Sequence, residues 1–316
     1  YLDDFVTAAQ HVVDGKPDLV SRDDLQGFQM GFFKDIVRVQ VGNSCINYLP
    51  EGADPEKPGR KQATLHGSEY PVLEFDENKT AKLNPSAFVD TPFPFDKMVI
   101  TFFPEVIDKL LDEEKIVEER VIGGENPITV YQFLDSDVLL TLGQVGCPAC
   151  GGNLDLFHAM GIRRVMFCGG GGVLDKNIEV GQLLLVDGAV RDEGFSYQYI
   201  EPSRFIFTEA SVTDKIAAYL DKNAVSYLRG LTWTTDALFR ETPERIEKRK
   251  AEGAKIVEME QAGCIAVARA RGFSYGALIY GGDDVSQEEW SNRGWRSRNG
   301  VRYDLVELCR RLTEEL

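Results

Sequence analysis

From Lys97 onward, short apolar runs of strand length alternate with amphipathic stretches of helical period. That alternation admits few architectures, because each helix must return the chain to a sheet that it then covers. MVITFF (98–103) reads as a buried strand, and PEVIDKLLDEE after it as a helix with Pro104 in its first turn. Two strands follow, around Ile128–Phe133 and Val138–Val145, then a helix from Pro148 to Met160 closed by Gly161. RVMFC (164–168) and LLLVDGAV (183–190) read as strands, and Ser211–Asp214 as the cap of a helix reaching Leu220. LRGLTWT, AKIVEM and YGALIY (275–280) are further strands, with helices over Pro243–Glu252 and Gln261–Arg271. Val301, Leu305, Leu308 and Leu312 share one face of a last helix. The pattern predicts an α/β protein: one large domain over 97–316 with a central mixed β-sheet flanked by helices. Residues 1–96 read as an N-terminal extension packed on it, with a short helix around Phe5–Val13 and a long loop over Leu49–Pro71.

Composition narrows the partners. A formal net charge of -16 repels nucleic-acid backbones and anionic lipid, although a local arginine cluster could still hold a small anion. No apolar run approaches the roughly 20 residues of a spanning helix, and the first residues lack a signal-peptide pattern. Six cysteines at irregular spacing do not form a disulfide framework, so a reduced, cytoplasmic protein is expected.

In such sheets ligands sit beyond the carboxyl ends of the strands, which points to the segments after Cys168, Val190, Thr234, Val257 and Tyr280. VEMEQAG (257–263) sets Glu258 and Glu260 where a strand gives way to a helix. Helix starts favour negative charge, so plain capping is one reading and a carboxylate for a sugar diol the other. ALIYGGDDVS (277–286) leaves two aspartates after an apolar strand, as a turn or as an acid at a ligand edge. FCGGGGVL (167–174) frees the backbone for close approach or anion binding, yet no Lys-Ser/Thr follows and Leu174 replaces a third spaced glycine. WTTDALFRET (233–242) combines a helix start at Thr242-Pro243 with Phe239, able to stack, and Arg240, able to reach an anion.

These segments, in this order, resemble the nucleoside phosphorylase and nucleosidase superfamily from about Lys97 to the C-terminus. The resemblance implies that Met259 packs under a ribose whose hydroxyls meet Glu260, with Glu258 beside them. It implies that Asp283 serves the N7 edge of a purine as general acid, with Gly282 in place of the usual serine. Phe239 and Arg240 would recognise the base, and Gly170 and Gly171 would line the glycine-rich loop. The phosphate-gripping arginine and Ser/Thr of that loop are Phe167 and Gly170 here, so Arg191, in GAVRDEGFSYQYI, becomes the substitute. Phosphorolysis of a nucleoside is the expected activity, purine ahead of uridine, with phosphate as co-substrate and no cofactor or metal. Hydrolysis by water, and a non-catalytic nucleoside-binding protein, stand as alternatives. The resemblance also implies a homo-oligomer, dimer or hexamer, working on small molecules without nucleic acid or membrane.

Two other motifs compete. Cys147-Pro-Ala-Cys150 at a helix start fits a redox pair, but it lies deep in the chain after two strands, where Gly146 and Pro148 fit the resemblance without sulfur chemistry. His11, His66 and His158 are not at zinc-ligand spacing.

Overall fold

The computed structural model describes residues 64–124 and 126–316, together with three strands nearer the N-terminus. The chain divides into two compact units, residues 1–62 and 63–316. In the smaller, β1 (Phe28–Phe33), β2 (Ile36–Val41) and β3 (Ser44–Tyr48) form an antiparallel sheet in that order. The helix expected around Phe5–Val13 and most of the loop expected over 49–71 lie outside the described residues. Residues 63–96, read from sequence as part of an extension, belong to the larger unit. They carry a two-stranded ribbon, β4 (Leu65–His66) with β5 (Phe75–Asp76), and they lend Phe93 to the core.

The larger unit is built on ten strands: β6 (Lys97–Thr101), β7 (Ile116–Ile122), β8 (Ile128–Phe133), β9 (Val138–Leu142) and β10 (Arg164–Val173), then β11 (Leu183–Asp192), β12 (Phe205–Phe207), β13 (Tyr227–Thr235), β14 (Ala254–Glu258) and β15 (Ser274–Asp284). Its helices are α1 (Pro104–Asp112), α2 (Cys147–Ala159), α3 (Ala210–Lys222), α4 (Pro243–Ala251), α5 (Gln261–Arg271) and α6 (Asn299–Leu312). Successive side chains of a strand face opposite sides, and the apolar runs use both. Val165 and Phe167 of β10 join Met98 and Ile100 in a core covered by α2 and α5, whereas Met166, Cys168 and Val99 face α1, α3 and α6. Continuous apolar runs therefore mark strands buried on both faces.

Pairing sets the position of the site. β10 runs parallel to β15 along its whole length. On its other edge it pairs with β6 over Arg164–Cys168 and antiparallel with β14 at Gly172 and Val173. Gly169–Gly171 thus face a gap between the end of β6 and the end of β14. β15 also pairs with β11, β11 with β13 and β13 with β14, so β10, β15, β11, β13 and β14 close into a ring.

Several sequence expectations need correction. The glycine run is not a loop: Gly169–Gly172 continue β10, and Asp283 and Asp284 end β15 rather than follow it. Ser211–Asp214 lie inside α3, whose N-cap position is Glu209. β7, with its exposed and charged alternation, was not anticipated.

Candidate active site

A cavity of about 610 Å³ opens at the gap beside β10. Phe102 and Phe103 enter it from the end of β6, Phe167, Gly169 and Gly170 from β10, and Glu258, Met259 and Glu260 from the β14–α5 junction. Trp295, Arg296 and Arg302 close it from the C-terminal segment, and Glu105 of α1 lies beside them.

The carboxylates are fixed by backbone. Glu260 Oε1 accepts the Gly146 amide at 2.7 Å, at the start of α2, where Gly146 has a φ of 96° that favours glycine. Glu260 Oε2 accepts only a long bond, 3.3 Å, from the Met259 amide. Burial first, and the neighbouring Glu258 second, push the Glu260 carboxyl up to about 8. Glu258 is differently placed: its Oε2 accepts the Glu260 and Gln261 amides at 2.6 and 2.7 Å, and Thr234 Oγ1 donates to its Oε1 at 2.5 Å. Although Glu258 lines the cavity, its oxygens serve as the cap of α5.

The cation of the site is Arg302, which the sequence reading missed. It is 6% exposed, with Nη1 on Glu105 Oε1 at 2.6 Å and Nε on the Tyr280 hydroxyl at 2.8 Å. Its guanidinium lies 4.9 Å from the Phe103 ring and 5.2 Å from the Trp295 ring. Nη2 has no hydrogen-bond partner among the described residues. Arg296, exposed, stands over the same indole at 5.5 Å.

Trp295 is seated by two glycines. A Cβ on Gly170 would come within 2.8 Å of the Trp295 ring, and one on Gly282 within 3.1 Å. Two of the places at which the chain departs from the resembled pattern, glycine for Ser/Thr and glycine for Ser, thus accommodate one indole.

Other expected site residues lie elsewhere. Arg191 is 5% exposed, and its guanidinium is spent on Ser196 Oγ, Ser203 Oγ and the carbonyls of Ile200 and Glu201, stacked 4.1 Å from Tyr197. It braces the segment after β11 and is not free to replace the lost phosphate ligands. Gly171 packs against the β14 backbone outside the cavity. Phe239, 92% exposed, and Arg240 sit on a 3-10 turn (Leu238–Arg240) and do not line the cavity. Asp283 is also outside it, its Oδ2 accepting from Trp290 Nε1 at 2.7 Å. Glu241, unremarked in the sequence, is pushed up to about 7 by burial and by the charge of Asp283. Cys147 and Cys150 are buried, and Cys150 Sγ faces Cys264 Sγ at 3.6 Å rather than its motif partner.

An α/β sheet that opens on a buried glutamate pair and an arginine offers a site suited to a polar small molecule, and comparison gives the class. Residues 96–301, well over half of the chain, match the phosphorylase superfamily, and the chain belongs to that family. A guanosine phosphorylase from Halorubrum lacusprofundi is 23% identical over 173 residues, 55% of this chain and 70% of that one. The purine nucleoside phosphorylase of Toxoplasma gondii superposes with a TM-score of 0.57 at 14% identity, over 72% of this chain and 94% of its own. The futalosine hydrolase of Helicobacter pylori gives a TM-score of 0.58 at 20% identity, over 70% and 98%. The fold expected from sequence is therefore that of this superfamily.

Proposed function

We propose that the chain cleaves the N-glycosidic bond of a nucleoside with phosphate. The observation that carries this reading is that Glu260, suited to a sugar, and Arg302, suited to an anion, line one cavity. A phosphate oxygen forms the bond to C1′ as the C1′–N bond breaks, the electron pair leaves with the base, and the base takes up a proton. Positive charge builds on the sugar in between. A carboxyl pushed up to about 8 loses its proton more readily beside that charge than beside neutral substrate. Glu260 therefore favours the transition state over the ground state. Met259 supplies the apolar floor, and Arg302 Nη2 with Arg296 takes the place of the lost phosphate ligands. Purine is preferred, on the guanosine phosphorylase relative.

One observation favours water instead. The Trp295 ring stands over Gly170, and Phe167 lines the wall, where the resemblance puts phosphate ligands. Base release from a panel of nucleosides, with and without phosphate, separates the readings. Phosphate-dependent release with sugar 1-phosphate as product, weakened in Arg302→Gln through a raised phosphate KM, is expected. Release indifferent to phosphate moves the chain to the hydrolases, and release from no nucleoside sinks both.

A further inference from the structure

The Glu258–Glu260 pair carries more than sugar binding. The two carboxyls sit two residues apart, both buried, yet their surroundings are unequal. Glu258 accepts three hydrogen bonds, from the Thr234 hydroxyl and the amides of Glu260 and Gln261, while Glu260 accepts one short bond from Gly146 and one long bond from Met259. Thr234 adds to this inequality. Its Oγ1 accepts the Ala262 amide at 3.0 Å and donates to Glu258 Oε1. The two bonds at Oε2 come from N–H groups, which cannot accept. Three donors converging on a buried carboxyl favour its charged form.

We propose that Glu258 is a positioning residue that stays ionised, caps α5, and acts on the reaction through Glu260 rather than by touching the sugar. This deepens the reading of the site given above and rests on it for the meaning of Glu260. Two like charges this close cannot both ionise at ordinary cost, so the charge on Glu258 keeps the single proton of the pair on Glu260 until the sugar becomes cationic. Burial acts in the same direction on both carboxyls, and the donors around Glu258 decide which of them keeps the charge. The other ionisable groups do not reverse this. Cys150 of α2 and Cys264 of α5 have thiols pushed up and neutral, as is Cys147 beside Glu193 and Glu258. Across the cavity, Glu105 is paired with Arg302, and Arg296 stands exposed.

The test is Glu258→Gln, followed by two readouts. One is the pH profile of kcat/KM with the nucleoside that the panel identifies. The other needs no turnover: carbon NMR titration of the Glu260 carboxyl in protein labelled at glutamate, assigned by its loss in Glu260→Gln. The expected result is a fall of the Glu260 midpoint from about 8 by about one pH unit or more, with an equal shift of the kinetic profile and an unchanged nucleoside KM. Thr234→Val keeps Glu258 but removes its hydroxyl donor, so it shifts the midpoint in the same direction and decides the matter where the glutamine variant does not fold. An unmoved Glu260 midpoint in whichever variant folds overturns the proposal. So does a raised nucleoside KM without a shift, which would make Glu258 a sugar ligand. Should no nucleoside be cleaved, the functional reading falls while the NMR titration still judges Glu258.

Discussion

Restoring a side chain at position 170 is the sharpest probe of how the cavity is built. In Gly170→Ser the new Cβ would lie 2.8 Å from Trp295 Cζ3, and 2.9 and 3.0 Å from Cε1 and Cζ of Tyr280. Ordinary carbon contacts fall near 3.5–4.0 Å, so both rings must yield by about half an ångström or more. Tyr280 is not free to do so. It is fully buried, its hydroxyl accepts from Arg302 Nε, and it donates to the Trp295 carbonyl at 3.2 Å. Overpacking of this kind costs about 1–3 kcal/mol, which for a unit of this size lowers Tm by roughly 2–12 °C. Calorimetry on the single variant and on the cycle with Trp295→Ala measures it. If the indole is the obstacle, Gly170→Ser costs about 1 kcal/mol less, or better, once Trp295 is alanine. A serine variant that melts like the parent, or a cycle that is additive, would show that the glycine does not make room for Trp295.

Two further outcomes follow from the same geometry. Glu260 and Glu241 are pushed up to about 8 and about 7 from an ordinary 4.5, so the folded chain binds protons that the unfolded chain releases. Their contribution is complete below about pH 4.5 and is lost as pH rises through 7 and 8; urea midpoints should therefore fall over that range, and fall less in Glu260→Gln, whereas a parent midpoint that is flat there counts against the buried protons. Arg191→Met should cost about 2–4 kcal/mol by stranding the groups around it while leaving the phosphate KM unchanged; a raised phosphate KM in a stable variant would return Arg191 to the site.

The strands and helices from Lys97 were legible because strands buried on both faces write unbroken apolar runs, and α5 was read to its observed ends at Gln261 and Arg271. β7 escaped because IVEERVI is largely exposed and lacks such a run. At the site, Met259 and Glu260 were readable, since a carboxylate at a strand-to-helix junction is a local feature. Arg302 was not. It reaches the cavity from α6, and what marks it as functional is its pairing with Glu105, 197 residues earlier, which no local pattern displays. Trp295 could have been suspected only by asking what large group two unexpected glycines, 112 positions apart, had made room for. Arg191 misled for the opposite reason: read as following a strand, it lies within the last residues of β11, and its partners come from the following loop.

The ring formed by β10, β15, β11, β13 and β14 has a consequence for how the chain acquires its structure. Its closing strand, β15, is the last in sequence order, yet it covers one whole edge of the central β10, made 110 residues earlier. Until Ser274–Asp284 arrive, β10 presents an uncovered apolar edge. The cavity also lacks Ile279 and every residue that follows it. Pairings this distant in sequence form slowly and leave edges open to other chains meanwhile. Substitutions that weaken β15 should therefore lower the yield of soluble protein more than they lower the stability of the molecules that do fold.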